Sequence, residues 1–286
     1  MKKIISIIFI FVSLLLVGPD RFEQIYVKDI YMDKTEGGYQ IQIISYDFSS
    51  QEEAFISNVY RSDNIFSLAA DVMKDANYNL RLCENCIISK NMTENINRVV
   101  YVINSMKIPP SADLVCISGE YDYNTFEDMG DNNSPVYNLK VTNGKVTGYV
   151  SVCDSTGKHT GTLVYHQGIV AKFTDKKQSD IMFALINRIK TMDYTFRQGQ
   201  ICAEIDVLDC FYTKEKNSIT INFNCILNRV TGINNYTQDK TVYTDILENE
   251  LKNDIFHIVT DPVINSVYKT YECLQGEEII ININII

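Results

Sequence analysis

The chain has no tryptophan, only three histidines among 286 residues, and no cluster of lysine or arginine anywhere along its length. Each scarcity removes a class of function. Twenty-six basic against 36 acidic residues leave a formal charge of −10. Nucleic-acid binding is excluded on that ground, because neutralising a phosphate backbone takes clustered cations. A polybasic patch for an anionic membrane surface is missing for the same reason. His159, His166 and His257 stand apart in sequence, and none has an Asp, a Glu or a nucleophile at a diagnostic spacing. Without tryptophan, the 18 tyrosines are the polar aromatic surface. Most of them are expected to cover sheet faces, with a carbohydrate or amino-acid pocket as the other use.

No cofactor or metal motif replaces what is missing. Ser155-Thr156-Gly157-Lys158-His159 contains a Gly-Lys pair, but Val152 stands where a phosphate loop needs its first glycine and His159 where it needs a hydroxyl. Cys83-Glu84-Asn85-Cys86 is a single CxxC without a second half, so neither a zinc site nor a redox site is complete. The other cysteines are Cys116, Cys153, Cys202, Cys210, Cys225 and Cys273, an even total of eight that would allow pairing in an oxidising compartment. Their surroundings point to small buried hydrophobes instead. Cys225 continues the alternation Ile219, Ile221, Phe223, and Cys116 follows Leu114 and Val115. Cys202 and Cys210 fall opposite Ile201, Ala203, Ile205 and Val207, so both are expected on the exposed side of their strand. No catalytic, cofactor-binding or metal-ligating residue is assigned.

Lys2 and Lys3 followed by the apolar run Ile4 to Val17 have the form of an export leader, residues 1–18. At 1.5 Å per residue the run reaches only ~21 Å of the ~30 Å of hydrocarbon that a stable span crosses. The remainder divides at the Asp-, Asn- and Gly-rich stretch Glu120 to Ser134, which lacks apolar periodicity and reads as a loop between residues 19–135 and residues 136–286.

The first half begins with Ile25-Tyr26-Val27 and Ile30-Tyr31-Met32, a turn at Thr35-Glu36-Gly37-Gly38, and a return strand from Tyr39. A helix capped by Asp63 or Asn64 follows, with Ile65, Leu68, Ala69, Val72, Met73 and Ala76 on one face. Strands at Leu80 to Ile88 and Ala112 to Ser118 flank a second helix from Asn91 to Asn104, giving β-α-β-α-β. In the second half, strands at 136–152 and 162–173 precede an amphipathic helix from Lys176 to Met192. Strands 201–208 and 218–227 lead to a long helical pattern, Val242 to Leu274, which Asp261-Pro262 interrupts. Glu277 to Ile286 reads as a terminal strand added to a sheet. The fold class is α+β: two mixed α/β domains with largely antiparallel sheets and a long C-terminal helix.

This order resembles the Ger(x)C family, the C subunits of spore-germination nutrient receptors. Gly18-Pro19-Asp20-Arg21-Phe22-Glu23 and Ile30-Tyr31-Met32-Asp33-Lys34 are similar to the family's opening segment and first strand. Asn64 to Ala70, Leu80-Arg81-Leu82, Cys86-Ile87-Ile88, Gly168 to Phe173 and the long acidic helix near the end resemble later elements. Pro19 occupies the position of the family's lipidated cysteine, so no thiol accepts a lipid there and no lipid attachment residue is assigned. The stretch between the halves is shorter than in the family, and Pro262 with the isoleucine-rich end departs from its closing helix. The resemblance implies a non-enzymatic subunit exported to the outer face of the spore inner membrane. Its implied partners are A and B type membrane subunits and the membrane surface, with no cofactor. The alternatives are an exported small-solute-binding protein and an exported hydrolase, which would need convergent carboxylates or a Ser/His pair.

Overall fold

The computed structural model describes residues 24–49, 54–75, 77–126, 138–232, 239–268 and 278–286. The leader, Pro19 and the rest of the opening segment, Ala76, most of the 120–134 stretch, Cys273 and the last part of the long helical pattern lie outside the described residues.

Two sheets carry the chain. The first contains β1 (Ile25–Thr35), β2 (Gly38–Tyr46), β3 (Phe55–Ser62), β4 (Tyr78–Asn79), β5 (Asn85–Ser89), β6 (Asp113–Ile117), β7 (Lys140–Thr142), β8 (Lys145–Cys153), β9 (His159–His166) and β10 (Ile169–Asp175). Its order is β10-β9-β8-β6-β5-β1-β2-β3, with β4 beside β1 and β7 beside β8. The centre, β1-β5-β6-β8, is parallel, and antiparallel hairpins extend both flanks. The helices α1 (Ile65–Asp75) and α2 (Ile96–Met106) make the crossovers that parallel neighbours require. The second sheet, order β11-β12-β13-β14, uses β11 (Thr191–Phe196), β12 (Ile201–Lys214), β13 (Ser218–Gly232) and β14 (Glu278–Ile285). It packs against α3 (Lys176–Leu185) and α4 (Lys240–Thr260), and α5 (Pro262–Tyr268) follows the break at Asp261. The α+β class stands, with the parallel centre as the exception to its antiparallel character. The first sheet takes strands from both halves of the expected division, because β8 pairs with β6 and β9 and β10 continue from β8. The chain changes sheet between Asp175 and Thr191.

Local chemistry explains most elements. Gly38 closes the β1–β2 turn with φ +126°, and a Cβ there would lie 2.5 Å from the Ser62 carbonyl, so only glycine fits. The Asn64 side chain accepts the Phe66 N–H at 2.9 Å and starts α1. Ile65, Leu68, Ala69 and Val72 are buried as their spacing predicts, while Met73 turns outward. Lys107 takes the left-handed conformation after α2, and Pro109 follows. Asp239 caps α4 by accepting the Thr241 N–H at 3.0 Å.

The expected strand Leu80 to Ile88 opens with a 3-10 turn at Leu80–Leu82, the expected strand 162–173 is the hairpin of β9 and β10, and three other elements also differ from the sequence reading. Ile25–Val27 and Ile30–Met32 form one strand with an irregularity between Val27 and Asp29, and β3 is an additional strand. The helix expected to reach Met192 ends at Leu185. Asn187 stops it with φ 55°, and its side chain donates to the Cys210 carbonyl and accepts the Cys210 N–H, each at 2.8 Å. That clasp turns the chain into β11, where Met192 packs as a strand residue.

Cys210 is the third correction. A bulge between Val207 and Asp209 shifts the β12 register against β13, so Leu208 swings outward and Cys210 rejoins the buried face. Cys202, before the bulge, stays half-exposed as expected. A maleimide reagent at neutral pH is therefore expected to modify Cys202 ahead of the other six described cysteines, all buried, as read by peptide mass mapping. Equal labelling of Cys210 would show that the register shift is absent.

Candidate functional site

The parallel centre of the first sheet buries polar residues on its face away from α1 and α2. Asp29 pairs in register with Asn85, and Asn85 with Asp113, so the three occupy one row across β1, β5 and β6. Asn85 Nδ2 donates to Asp29 Oδ1 at 2.8 Å, and both residues are under 5 % exposed. Tyr121 closes over the row, stacking on Tyr31 with centroids 4.9 Å apart and meeting Phe126 edge-on at 5.6 Å. Tyr31, Ile87, Val115, Ile117, Phe126 and Cys153 form the apolar wall around it. At the rim, Tyr46 donates to Glu84 at 2.8 Å.

Burial pushes the Asp29 carboxyl up to about 6, although the Asn85 hydrogen bond and the Lys28 charge pull the other way. The Tyr121 phenol is raised by burial and by the Asp29 charge, and Tyr31 reaches about 12, chiefly by burial. The row can hold a proton near neutral pH. The sequence signal was a carboxylate inside the apolar strand Ile25 to Met32, which spacing rules alone do not single out.

A second buried polar group joins the two sheets. His159 opens β9 and lies with its Nδ1 3.5 Å from Oδ1 of Asp180 on α3, while Lys176 holds the other Asp180 oxygen. The His159 ring and the Asp180 carboxylate are nearly sealed, and the Thr174 and Ser179 hydroxyls lie 2.8 Å apart. No hydroxyl hydrogen-bonds a His159 ring nitrogen among the described residues, so the Ser/His relay of a hydrolase is not assembled there. His166 stands 3.5 Å from Ser266, and His257 is exposed on α4. The three histidines do not converge. Asp180, the partner that matters, lies 21 positions from His159, a separation no motif encodes.

Two of the surface clefts are lined by described residues. One, about 410 Å³, is lined by Lys140, Lys145, Thr147, His166, Gln167 and Ser266, with no carboxylate among its lining residues. The other, about 370 Å³, lies between Tyr78, Arg81, Met106 and Lys107. An aromatic cluster of Tyr26, Tyr46, Phe48 and Phe55, with Lys28 over the Phe55 ring, marks one end of the β1–β3 hairpins, and Phe48 is 73 % exposed.

The described cysteines are free thiols, all buried except Cys202. Cys83 and Cys86 of the CxxC are free, buried thiols, and burial raises both. Cys116, Cys153 and Cys225 are pushed up to about 12 by the same cause. Among the described residues no three His, Cys, Asp or Glu side chains gather as a metal site, and no helix is long and apolar enough to cross a membrane.

No family profile and no curated protein matches the chain. Among solved structures it is similar to the crystal structure of the GerBC protein, at 14 % identity over 90 % of this chain and 96 % of that one, with a TM-score of 0.43.

Proposed function

We propose that the chain is a Ger(x)C-type C subunit of a spore-germination nutrient receptor, a non-enzymatic protein that supports receptor assembly or signal passage. One observation carries the reading: segments resembling that family occur in its order from Ile30 to the long acidic helix. They fall, in chain order, on β1, α1, β5, β10 and α4. A subunit of this kind works through surfaces, and Asp29, Asn85, His159 and Asp180 are sealed in the interior. The partners in this reading are membrane-embedded A and B type subunits, and the location is the outer face of the spore inner membrane, reached by export. With Pro19 at the lipidation position, retention depends on the uncleaved leader or on those partners.

Fractionation of spores tests it. The expected result is recovery of the protein with the inner membrane and its co-purification with two multi-span proteins. Release in low-detergent washes with neither partner attached would overturn the proposal.

A further inference from the structure

Among the described residues the second sheet ends on β14, whose outer edge pairs with none of them and lacks the devices that usually protect one. The strands at the other ends of the two sheet orders carry an internal charge: Arg61 in β3, Asp193 in β11, and Lys172 in β10, which is also irregular between Val170 and Lys172. β14, Glu278-Ile279-Ile280-Ile281-Asn282-Ile283-Asn284-Ile285, has its one charge at the first residue and pairs with β13 in unbroken register. Glu278 N–H bonds the Asn217 carbonyl at 2.9 Å and Ile286 N–H the Cys225 carbonyl at 3.0 Å. In a parallel ladder this phase sends the backbone groups of even residues to β13 and those of Ile279, Ile281, Ile283 and Ile285 outward.

We propose that β14 pairs antiparallel with β14 of a second copy of this chain, about a two-fold axis through Asn282, so that the two sheets become one. The strand is complementary to itself in that register. Ile281 meets Ile283 of the second copy and Ile279 meets Ile285, which makes outward-facing residues the hydrogen-bonded pairs. It also keeps the row beneath α4 continuous across the axis, since Ile281 is buried there and Ile279, Ile283 and Ile285 pack on the same core. Glu278 faces Ile286 of the second copy and not its own image. On the outer face, Asn282 Nδ2 already donates to Asn222 Oδ1 at 3.1 Å. Its carbonyl oxygen and second amide hydrogen remain for Asn282 of the second copy, extending an amide ladder across the axis. A foreign strand would need the same uncharged alternation, which the second copy supplies without adjustment. Eight residues span only about 26 Å, so the association is expected to be concentration-dependent. The proposal stands apart from the receptor assignment.

Sedimentation of the purified full-length chain is expected to show a monomer–dimer equilibrium. Asn282→Lys, at an exposed site that leaves the core untouched, is expected to weaken it at least about tenfold by setting like charges together at the axis. A cysteine pair on the axis sits as a non-hydrogen-bonded pair about 4.5 Å apart between Cα atoms, within reach of a disulfide. Asn282→Cys is therefore expected to cross-link two chains on oxidation. Asn284→Cys, about 13 Å from its image, is expected to cross-link no more than the parent chain. A monomer at every concentration, a dimer indifferent to Asn282→Lys, or equal cross-linking at the two cysteine positions would overturn the proposal.

Discussion

Asp29→Asn is expected to stabilise the folded protein by about 3 kcal/mol at pH 8 and to leave it nearly unchanged at pH 4, from the rise of the carboxyl from 3.8 to about 6. The folded state raises this group, so between pH 4 and 6 folding takes up a proton. Its contribution is most favourable below about pH 4, declines as pH rises through 6, and is flat above that. The cause is burial: Asp29 is 3 % exposed, and the hydrogen bonds it accepts from the Asn85 side chain and backbone do not offset the hydration a carboxylate loses there. Asparagine keeps an acceptor for Asn85 and carries no charge. Denaturant titrations of the parent and the variant at pH 4, 6 and 8 check the prediction. Parallel stability curves for the two proteins would show that Asp29 is not held above its ordinary range.

The contrast between Asp29 and the elements around it shows which kinds of information lie along the chain. Alternation in Ser218 to Leu227 and the three-and-four spacing in α1 and α2 are local, and each described side chain of those sets lands on its expected face apart from Met73. The Asp261-Pro262 break and the terminal strand were legible for the same reason, since backbone chemistry at those residues decides them. What escaped depends on distant partners. α3 ends where Asn187 reaches Cys210, and Cys210 is buried because a bulge needs β13 alongside to define it. The first sheet joins strands of both halves because β8 finds β6, a pairing that composition does not announce. The site was less legible than the fold. Asp180 and Asn85 acquire their roles only when α3 is laid beside β9 and β5 beside β1.

Phe223→Ala is expected to cost about 3–5 kcal/mol, the usual penalty for emptying a fully enclosed aromatic site. Phe223 is 0 % exposed at the middle of β13, with Cys210 opposite on β12 and Ile283 opposite on β14. Those neighbours are held by backbone ladders on both sides, so they cannot close the gap by moving inward. α4 cannot settle either, because it is tied at Asp254, which accepts from the Tyr194 hydroxyl at 2.6 Å and pairs with Lys177 at 2.7 Å. The loss is a large part of the 5–15 kcal/mol that holds an ordinary domain. Its distribution is the sharper test. The core beneath the first sheet shares no residue with the one containing Phe223, and the two layers meet through Tyr149 and α3. Amide exchange in the variant is therefore expected to accelerate throughout β11 to β14 while β5 and β6 retain most of their protection. Equal acceleration in both sheets would mean that the layers unfold as a single cooperative unit.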